Sequence, residues 1–174
     1  MIELLKTRRS IRKYTVQEVE PEKLELILKA ALLAPSSKGK RPWEFIVVKD
    51  KEKLKKVSKC RTIGGGPFIA NASAAIVVLG DTEKTPDVWI EDASIAATLI
   101  HLEAHKLGLG SCWVQVRERM HNDKITAEEY LRQELSIPEK YGVECIISIG
   151  YTAENRPSYE EKDIDFSKVH YEKF

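Results

Sequence analysis

The sequence contains few of the residues from which disulfide frameworks and zinc sites are built. Its three cysteines, Cys60, Cys112 and Cys145, are far apart and odd in number, and none belongs to a Cys-x-x-Cys pair. Disulfide-rich extracellular domains and zinc fingers depend on closely spaced sets of cysteines. The pattern therefore argues against both classes and predicts a reducing, intracellular location.

Long apolar runs and an excess of one charge are also missing. No segment approaches the ~20 apolar residues of a membrane span, and the N-terminus has no apolar stretch followed by a cleavage site. The 28 basic and 27 acidic side chains leave a formal net charge of +1, unlike the strongly positive surfaces of nucleic-acid-binding proteins. We therefore expect a cytoplasmic protein that binds neither membrane nor nucleic acid.

Hydrophobic periodicity divides the chain into alternating helices and strands. A first helix follows Pro21 and ends before Pro35, and further helices are predicted at residues 51–59, 86–107 and 126–135. Strands are predicted at residues 45–48, 75–79, 112–116 and 143–149. The chain has 174 residues and no repeat or linker, which predicts a single domain over residues 1–174. Alternation alone favours a doubly wound, parallel α/β sheet.

Two local patterns predict where helices begin and end. Gly108 is placed to end the long helix in a left-handed conformation, and Thr126 with Glu129 has the spacing of a capping box. Glu91 and Asp92 lie at the start of the long helix, where carboxylates favour the positive end of the helix dipole. We interpret these two acidic residues as structural.

Four cations and a hydroxyl are crowded into one short segment near the N-terminus. They are Arg8, Arg9, Ser10, Arg12 and Lys13. Such crowding destabilises a fold unless an anion neutralises it. Arginine can bind two phosphate oxygens at once and serine adds a neutral donor, so a terminal phosphate monoester is a fitting ligand. On composition alone, a solvated basic surface is the commoner explanation.

Two loops of small residues are further segments of interest. Pro35, Ser36 and Ser37 precede a Pro-Trp pair and a strand, and taken alone they form a turn-rich loop. Gly110 and Ser111 precede the next strand, where small residues let backbone donors approach a flat ligand, although a plain helix cap explains the segment equally well. The triple glycine at residues 64–66 lacks the spacing of a dinucleotide fingerprint.

The order of these segments resembles the FMN-dependent nitroreductase family over nearly the whole chain. Arg-x-Ser-x-Arg is followed by Pro-Ser-Ser, Pro-Trp and a strand, then by an alanine-rich helix, Gly-Leu-Gly-Ser-Cys-Trp and Ile-Gly-Tyr-x-Ala-Glu. Each piece is common, whereas the ordered set is specific. The resemblance implies an α+β fold with a central, largely antiparallel sheet flanked by helices, which replaces the parallel sheet favoured by alternation.

The resemblance also implies a set of contacts to flavin mononucleotide (FMN). Its phosphate and ribityl chain would be held by Arg8, Arg9, Ser10 and Arg12, with a further cation from Arg156 or Lys162. The FMN of a partner subunit would be reached by Pro35, Ser36 and Ser37. Backbone around Gly110 and Ser111 would lie near the reactive edge of the ring.

By the same resemblance, the protein is a homodimeric oxidoreductase. NADH or NADPH would give a hydride to the flavin, which would reduce a nitro compound, a quinone or a similar small acceptor, without an obligatory acid–base side chain. The polar tail, residues 151–174, would extend across the partner and bury Val169, Tyr171 and Phe174. The alternatives are a non-redox FMN carrier or sensor, and a dehalogenase or flavin-cleaving enzyme on the same scaffold.

A lid for such an alternative substrate would have to come from residues 117–141. There, Arg117, Arg119 and His121 could meet an anionic substrate, although a solvated face is the commoner explanation.

Two departures from the family pattern, Gly39 and Arg41, predict that one side-chain contact near the flavin is lost or replaced. The triple glycine at residues 64–66 also departs from that pattern.

Two further features are interpreted without a role in chemistry. His101 and His105 have the i, i+4 spacing of some zinc ligands, but the sequence offers no third ligand, so no metal is predicted. Cys112 has no identifiable base partner and is interpreted as a packing residue.

Overall fold

The computed structural model describes residues 1–62 and 65–174. In this part of the chain the helices are α1 (Ile2–Thr7), α2 (Pro21–Leu32), α3 (Lys51–Val57), α4 (Trp89–Lys106) and α5 (Ala127–Leu135). The strands are β1 (Trp43–Val48), β2 (Ala74–Asp81), β3 (Gly110–Gln115) and β4 (Tyr141–Gly150). None of the helices in these residues has the length and apolar character that crossing a bilayer requires.

The four strands form one sheet in the order β1-β2-β4-β3, and every neighbouring pair is antiparallel. The α+β fold with an antiparallel sheet is therefore confirmed, and the parallel sheet that alternation favoured is wrong. Strands β1 and β2 are joined through α3 yet lie side by side in opposite directions, so the crossover of a parallel βαβ unit does not form there. Periodicity fixes which segments are strands but not their direction.

Helices cover both faces of the sheet, which explains why β2 and β4 are continuous apolar runs. Helices α2 and α4 pack on one face, where the alanines of α4 let its backbone approach Ile76 and Ile147. Helices α3 and α5 pack on the other face, with Leu54 and Leu131 against Val77. The sheet is thus the middle layer of three.

The ends of the helices follow from local chemistry. The Thr126 hydroxyl accepts the Glu129 N–H at 3.1 Å, and the Glu129 carboxylate accepts the Thr126 N–H at 2.6 Å, so the predicted capping box is confirmed. Gly108 has a φ of +78°, as a left-handed helix end requires. Helix α4 begins at Trp89 rather than Pro86, because the preceding residues form a turn in which Thr85 O accepts the N–H groups of Val88 and Trp89.

The tail is fixed at its root and exposed at its end. The Tyr159 N–H donates to Lys6 O at 2.9 Å, and the Lys6 ammonium lies 2.7 Å from the Glu161 carboxylate, which holds the root on α1. Beyond Asp165 the chain exposes a set of large apolar side chains, Phe166, Val169, Tyr171 and Phe174. Four such side chains at one chain end form an apolar surface that calls for a covering partner.

Candidate functional site

The cationic segment lies against the start of β3. The Ile11 N–H donates to Ser111 O at 3.0 Å, and Ser10 pairs with Ser111 in a parallel bridge. Gly110 is required here, because a Cβ at this position would lie 2.7 Å from the Ile11 side chain. Two segments that the sequence singled out, about 100 residues apart in the chain, are thereby brought together.

Glu154 fixes the same segment from its other side. Its carboxylate accepts the Arg12 N–H at 2.6 Å and the Lys13 N–H at 3.1 Å, and it pairs with Arg156 at 3.0 Å. These contacts, led by the Arg12 N–H, hold the pKa of Glu154 below its usual range. Sequence reasoning did not assign Glu154 a role, although it ends the Ile-Gly-Tyr-x-Ala-Glu motif.

A polar cavity of about 200 Å³ lies beside the residues so fixed and is open to solvent. Its lining consists of Arg8, Arg9, Ser10, Arg12, Arg156 and Tyr159. We call this lining the cationic cluster. Within residues 1–62 and 65–174, Arg8 and Arg12 form no ion pair, whereas Arg156 is paired with Glu154. The cluster therefore holds uncompensated positive charge, several N–H donors and the hydroxyls of Ser10 and Tyr159, a donor set that fits a dianionic phosphate.

The remaining predicted cations differ in position. The Arg9 guanidinium donates to Pro157 O and lies 4.3 Å from the centre of the Tyr159 ring, so it ties the tail root to the cluster. Lys162 is exposed and pairs with Glu160 at 2.6 Å, outside the cavity lining. Of the two alternative cations named from the sequence, the structure brings Arg156 to the cluster and leaves Lys162 apart.

Two histidines of α4 bond residues that adjoin the cluster. His101 Nδ1 and the Ser111 hydroxyl form a hydrogen bond at 2.7 Å, and His105 Nε2 and the Thr7 hydroxyl form another at 2.8 Å. Burial lowers the pKa of His101 to about 4, with a further contribution from the charge of Arg8. Their i, i+4 spacing placed both on one face of α4, but the residues that they contact lie outside any local pattern.

Ser111 is consequently engaged from two directions. It is buried, its hydroxyl bonds His101 and its carbonyl accepts the Ile11 N–H. The structure thus places Ser111 as a support beneath the cluster, with Gly110 lining an adjoining cavity of about 190 Å³ that shares Arg9 and Arg156.

His101 should make stability depend on pH. Its pKa is lower in the folded chain (about 4) than its ordinary value of 6.5, so the unfolded chain binds the extra proton between these limits. The free energy of unfolding should fall as pH decreases through this window, by at most about 1.4 kcal/mol per pH unit from this residue. His101→Gln, which keeps a hydrogen-bonding group, should remove that slope in urea unfolding at pH 4.5 to 7. Parallel pH profiles for the two proteins would contradict the assignment.

The Pro35–Ser37 loop, residues 35–37, is held by α4 at the opposite end of that helix. The Ser37 N–H donates to Asp92 Oδ1 at 2.9 Å, and the Ser36 hydroxyl accepts the Arg41 N–H at 2.9 Å. Lys38 and Arg41 have φ angles of 51° and 49°, which are strained for residues other than glycine. Asp92 thus fixes a loop whose backbone is held in an uncommon shape.

Within one subunit, the Pro35–Ser37 loop and the cationic cluster are far apart. Ser37 contacts Asp92 near the start of α4, whereas Thr7, next to Arg8, contacts His105 near its end. Thirteen residues of helix separate these two contacts, which corresponds to about 20 Å. Neither cavity at the cluster includes residues 35–37.

A row of contacts leads from the cluster along β3. The Arg12 guanidinium lies 5.8 Å from the centre of the Phe68 ring, and the Arg61 guanidinium donates to Gln115 O at 3.5 Å at the end of β3. The Gln115 amide in turn accepts the Trp113 indole N–H at 2.8 Å. Of the triple glycine, Gly64 lies outside the described residues, while Gly66 adjoins Val114 of β3.

The cysteine beside the cluster has the environment of a packing residue. Cys112 is buried, and burial raises the pKa of its thiol above the ordinary value. A reactive cysteine requires the opposite shift, because the thiolate is the nucleophile.

Comparison with known proteins identifies relatives over the full length. The sequence model described as the nitroreductase family matches residues 5–60 and 60–151. A protein of Archaeoglobus fulgidus named "Putative NADH dehydrogenase/NAD(P)H nitroreductase" is 42% identical, covering 99% of this chain and 98% of its own. One of the same name from Methanothermobacter thermautotrophicus is 40% identical over 100% and 87%.

A solved structure agrees with these sequence relatives. The FMN-dependent nitroreductase of Clostridium difficile R20291 is 64% identical and superposes with a TM-score of 0.98, and each chain covers 100% of the other. The resemblance predicted from the ordered motifs is thereby confirmed, and the chain belongs to the nitroreductase family.

Proposed function

We propose that this protein passes a hydride equivalent from NADH or NADPH, through FMN, to a small acceptor such as a nitro compound or a quinone. The enzyme class is an NAD(P)H-dependent flavin oxidoreductase, and FMN is its cofactor. The observation that carries the proposal is the cationic cluster, in which Arg8 and Arg12 form no ion pair among the described residues. A phosphate monoester neutralises such a site, and FMN ends in one.

Three residues would hold the cofactor's phosphate directly. Arg8 and Arg12 supply charge-assisted hydrogen bonds, and the Ser10 hydroxyl supplies a neutral donor. Glu154 and Ser111 bond the backbone of this segment from two sides, so the donors are positioned before a ligand arrives. Arg9 and Arg156 complete the positive lining.

When bound, FMN supplies the redox chemistry by taking a hydride from the reduced nicotinamide and giving two electrons to the acceptor. For a nitro acceptor, the overall reaction converts one nitro group, one NADH and one proton into a nitroso group, NAD⁺ and water. The chain contributes positioning and electrostatics, and we assign no acid–base catalytic residue. His101, which is buried with a pKa of about 4, is neutral at physiological pH and serves as a support.

We further propose that the active form is a homodimer whose subunits share each FMN. The two predicted parts of the site are about 20 Å apart along α4, so the Pro35–Ser37 loop would serve the cofactor of the partner subunit. Exposed apolar side chains lie on α1, at the end of α2 and on α4. They are Ile2, Leu5, Leu33 and Ile95. The apolar tail end would add to that interface. The single domain and the cytoplasmic location remain predictions.

The purified protein should be yellow, and reduced nicotinamide should bleach it. Without oxygen, NADH or NADPH should abolish the flavin absorbance at a rate that saturates with donor, and a nitroaromatic compound or quinone should restore it. Stopped-flow absorbance measures both half-reactions. Protein supplied with riboflavin in place of FMN is the control, because riboflavin lacks the phosphate that the cationic cluster would bind.

Three results would change the assignment. A protein that holds FMN but is bleached by neither nicotinamide would be a carrier or sensor. A protein bleached but reoxidised only by a halogenated substrate would be a dehalogenase, and one that rejects FMN would contradict the cofactor site itself.

A further inference from the structure

A second, larger cavity lies at the other end of β3 from the cationic cluster. It has a volume of about 710 Å³ and opens between the end of α3 and the loop that follows β3. Arg61 and Thr62 line it on the first side, and Arg119, His121 and Asp123 line it on the second. This size accommodates a small-molecule ligand.

The loop that forms the second wall is held by hydrogen bonds over its whole length. The Asn122 side chain accepts the N–H groups of Lys124 and Ile125, at 2.8 and 3.1 Å, and Arg119 O accepts the Ala127 N–H at 2.8 Å. Glu118 has a φ of 55°, a strained conformation immediately before Arg119. The backbone of this wall is therefore fixed.

His121 attaches the wall to the rest of the molecule. Its Nδ1 lies 2.9 Å from Lys59 O, its ring stacks on Tyr130 at 4.2 Å, and its carbonyl accepts the Thr62 hydroxyl. Because His121 is engaged on both sides, it joins the two walls of the cavity and holds them at a set separation.

Arg119 is different from its neighbours because its charge is not compensated. In residues 1–62 and 65–174 its guanidinium contacts only Glu118 O, at 3.1 Å, and forms no ion pair. By contrast, Arg117 lies 2.6 Å from the Glu118 carboxylate and 3.2 Å from that of Glu144, so this residue of the predicted anion-contacting set is neutralised. Arg119 therefore brings a positive charge to the lining that no ion pair offsets among the described residues.

Strand β3 links the cavity to the site of the proposed function. Arg61 contacts Gln115 at the end of β3, and β3 runs about 17 Å from there to Gly110 at the cluster. The following inference rests on the proposed function, since it assigns the cavity to a molecule that reacts with a cofactor anchored at the cluster.

We propose that this cavity binds an anionic oxygen group of a substrate, with Arg119 as the main contact and Arg61 beside it. Arginine on a fixed backbone recognises carboxylate and phosphate oxygens through paired N–H donors. The anion has two possible sources, which are the carboxylate of an aromatic acceptor and a phosphate of the reduced nicotinamide. Both share the same chemistry at Arg119.

Steady-state kinetics with charged and neutral substrate pairs tests this site. The acceptors are 4-nitrobenzoate and its neutral match 4-nitrobenzamide, and the donors are NADH, NADPH and the uncharged 1-benzyl-1,4-dihydronicotinamide. Arg119→Gln should lower kcat/KM about tenfold for the charged member of one pair and leave its neutral match within about twofold. A loss confined to nitrobenzoate identifies the acceptor as the source, and a loss confined to NADH and NADPH identifies the donor.

Lys124→Gln is the matched control, because Lys124 is an exposed cation of the same loop outside the cavity lining. It should change neither ratio, and 0.5 M salt should reduce the charged-to-neutral ratio of the wild-type protein and of Lys124→Gln but not that of Arg119→Gln. Equal losses for charged and neutral substrates, or the same loss in Lys124→Gln, would overturn the site. If the wild-type protein fails even with neutral donor and neutral acceptor, the proposed function itself fails and the inference falls with it.

Discussion

Replacing both Arg8 and Arg12 with alanine should weaken FMN binding by at least about a hundredfold. A hydrogen bond to a charged group contributes about 1.5–3 kcal/mol, and neither arginine is offset by a carboxylate among the described residues. Arg9, likewise without a carboxylate partner there, is turned to Pro157 O and the Tyr159 ring. Fluorescence titration of the apoprotein with FMN measures the affinity. The same titration with riboflavin should show little change, because riboflavin carries no phosphate for these arginines to bind.

Lys13→Ala is the control for general electrostatics. Lys13 is a neighbouring cation outside the lining of the cluster, and it lines an adjoining cavity that shares Arg12. Its removal should weaken FMN binding by less than about threefold, since an exposed charge outside the site acts only through a screened field. If Lys13→Ala and Arg12→Ala cause equal losses, the segment attracts anions by overall charge and the cluster is not a specific phosphate site.

Local sequence patterns predicted the elements of the fold better than their arrangement. The capping box at Thr126 and the helix end at Gly108 depend on residues a few positions apart, so the sequence carries the whole signal. The direction of β2 relative to β1 depends on pairing across the sheet, which periodicity does not encode. Only the resemblance to a known family corrected the parallel sheet to an antiparallel one.

The candidate site divides in the same way. The crowding of arginines around Ser10 is visible in the sequence because unfavourable charge needs a reason. Glu154 positions that segment by accepting the Arg12 N–H from 142 residues away in the chain. His101 acts through Ser111, which lies 10 residues from it and accepts the Ile11 N–H. No local spacing marks such partners, and the i, i+4 spacing of His101 and His105 points only to a comparison with metal ligands.

Arg119 illustrates a further limit. The sequence presents Arg117, Arg119 and His121 as three equivalent candidates for contact with an anion. In the structure Arg117 is neutralised by Glu118 and Glu144, and His121 stacks on Tyr130. Of these three, Arg119 is the cation that forms no ion pair with any described residue. Which of several neighbouring cations is available to a ligand depends on carboxylates of other elements, here Glu144 of β4.

Ending the chain after Asp165 should convert the dimer to a monomer and release FMN at the same time. This truncation removes Phe166, Val169, Tyr171 and Phe174, which are exposed on one subunit. It keeps Arg156 and Tyr159, so the cationic cluster stays intact. At roughly 25 cal/mol per Å² of apolar surface, burying four such side chains on a partner contributes several kcal/mol per tail as an upper value.

Loss of FMN should accompany loss of the dimer because each cofactor would be shared. The truncated chain retains its own arginines but would lose the partner's contribution from the Pro35–Ser37 loop, which α4 holds about 20 Å from the cluster of the same chain. Light scattering with absorbance at the flavin band measures mass and colour on one column. Lys168→Ala, an exposed charge in the removed segment, should leave both unchanged. A truncated protein that stays dimeric and yellow would refute the role of the tail, whereas a full-length monomer that retains FMN would refute the shared site.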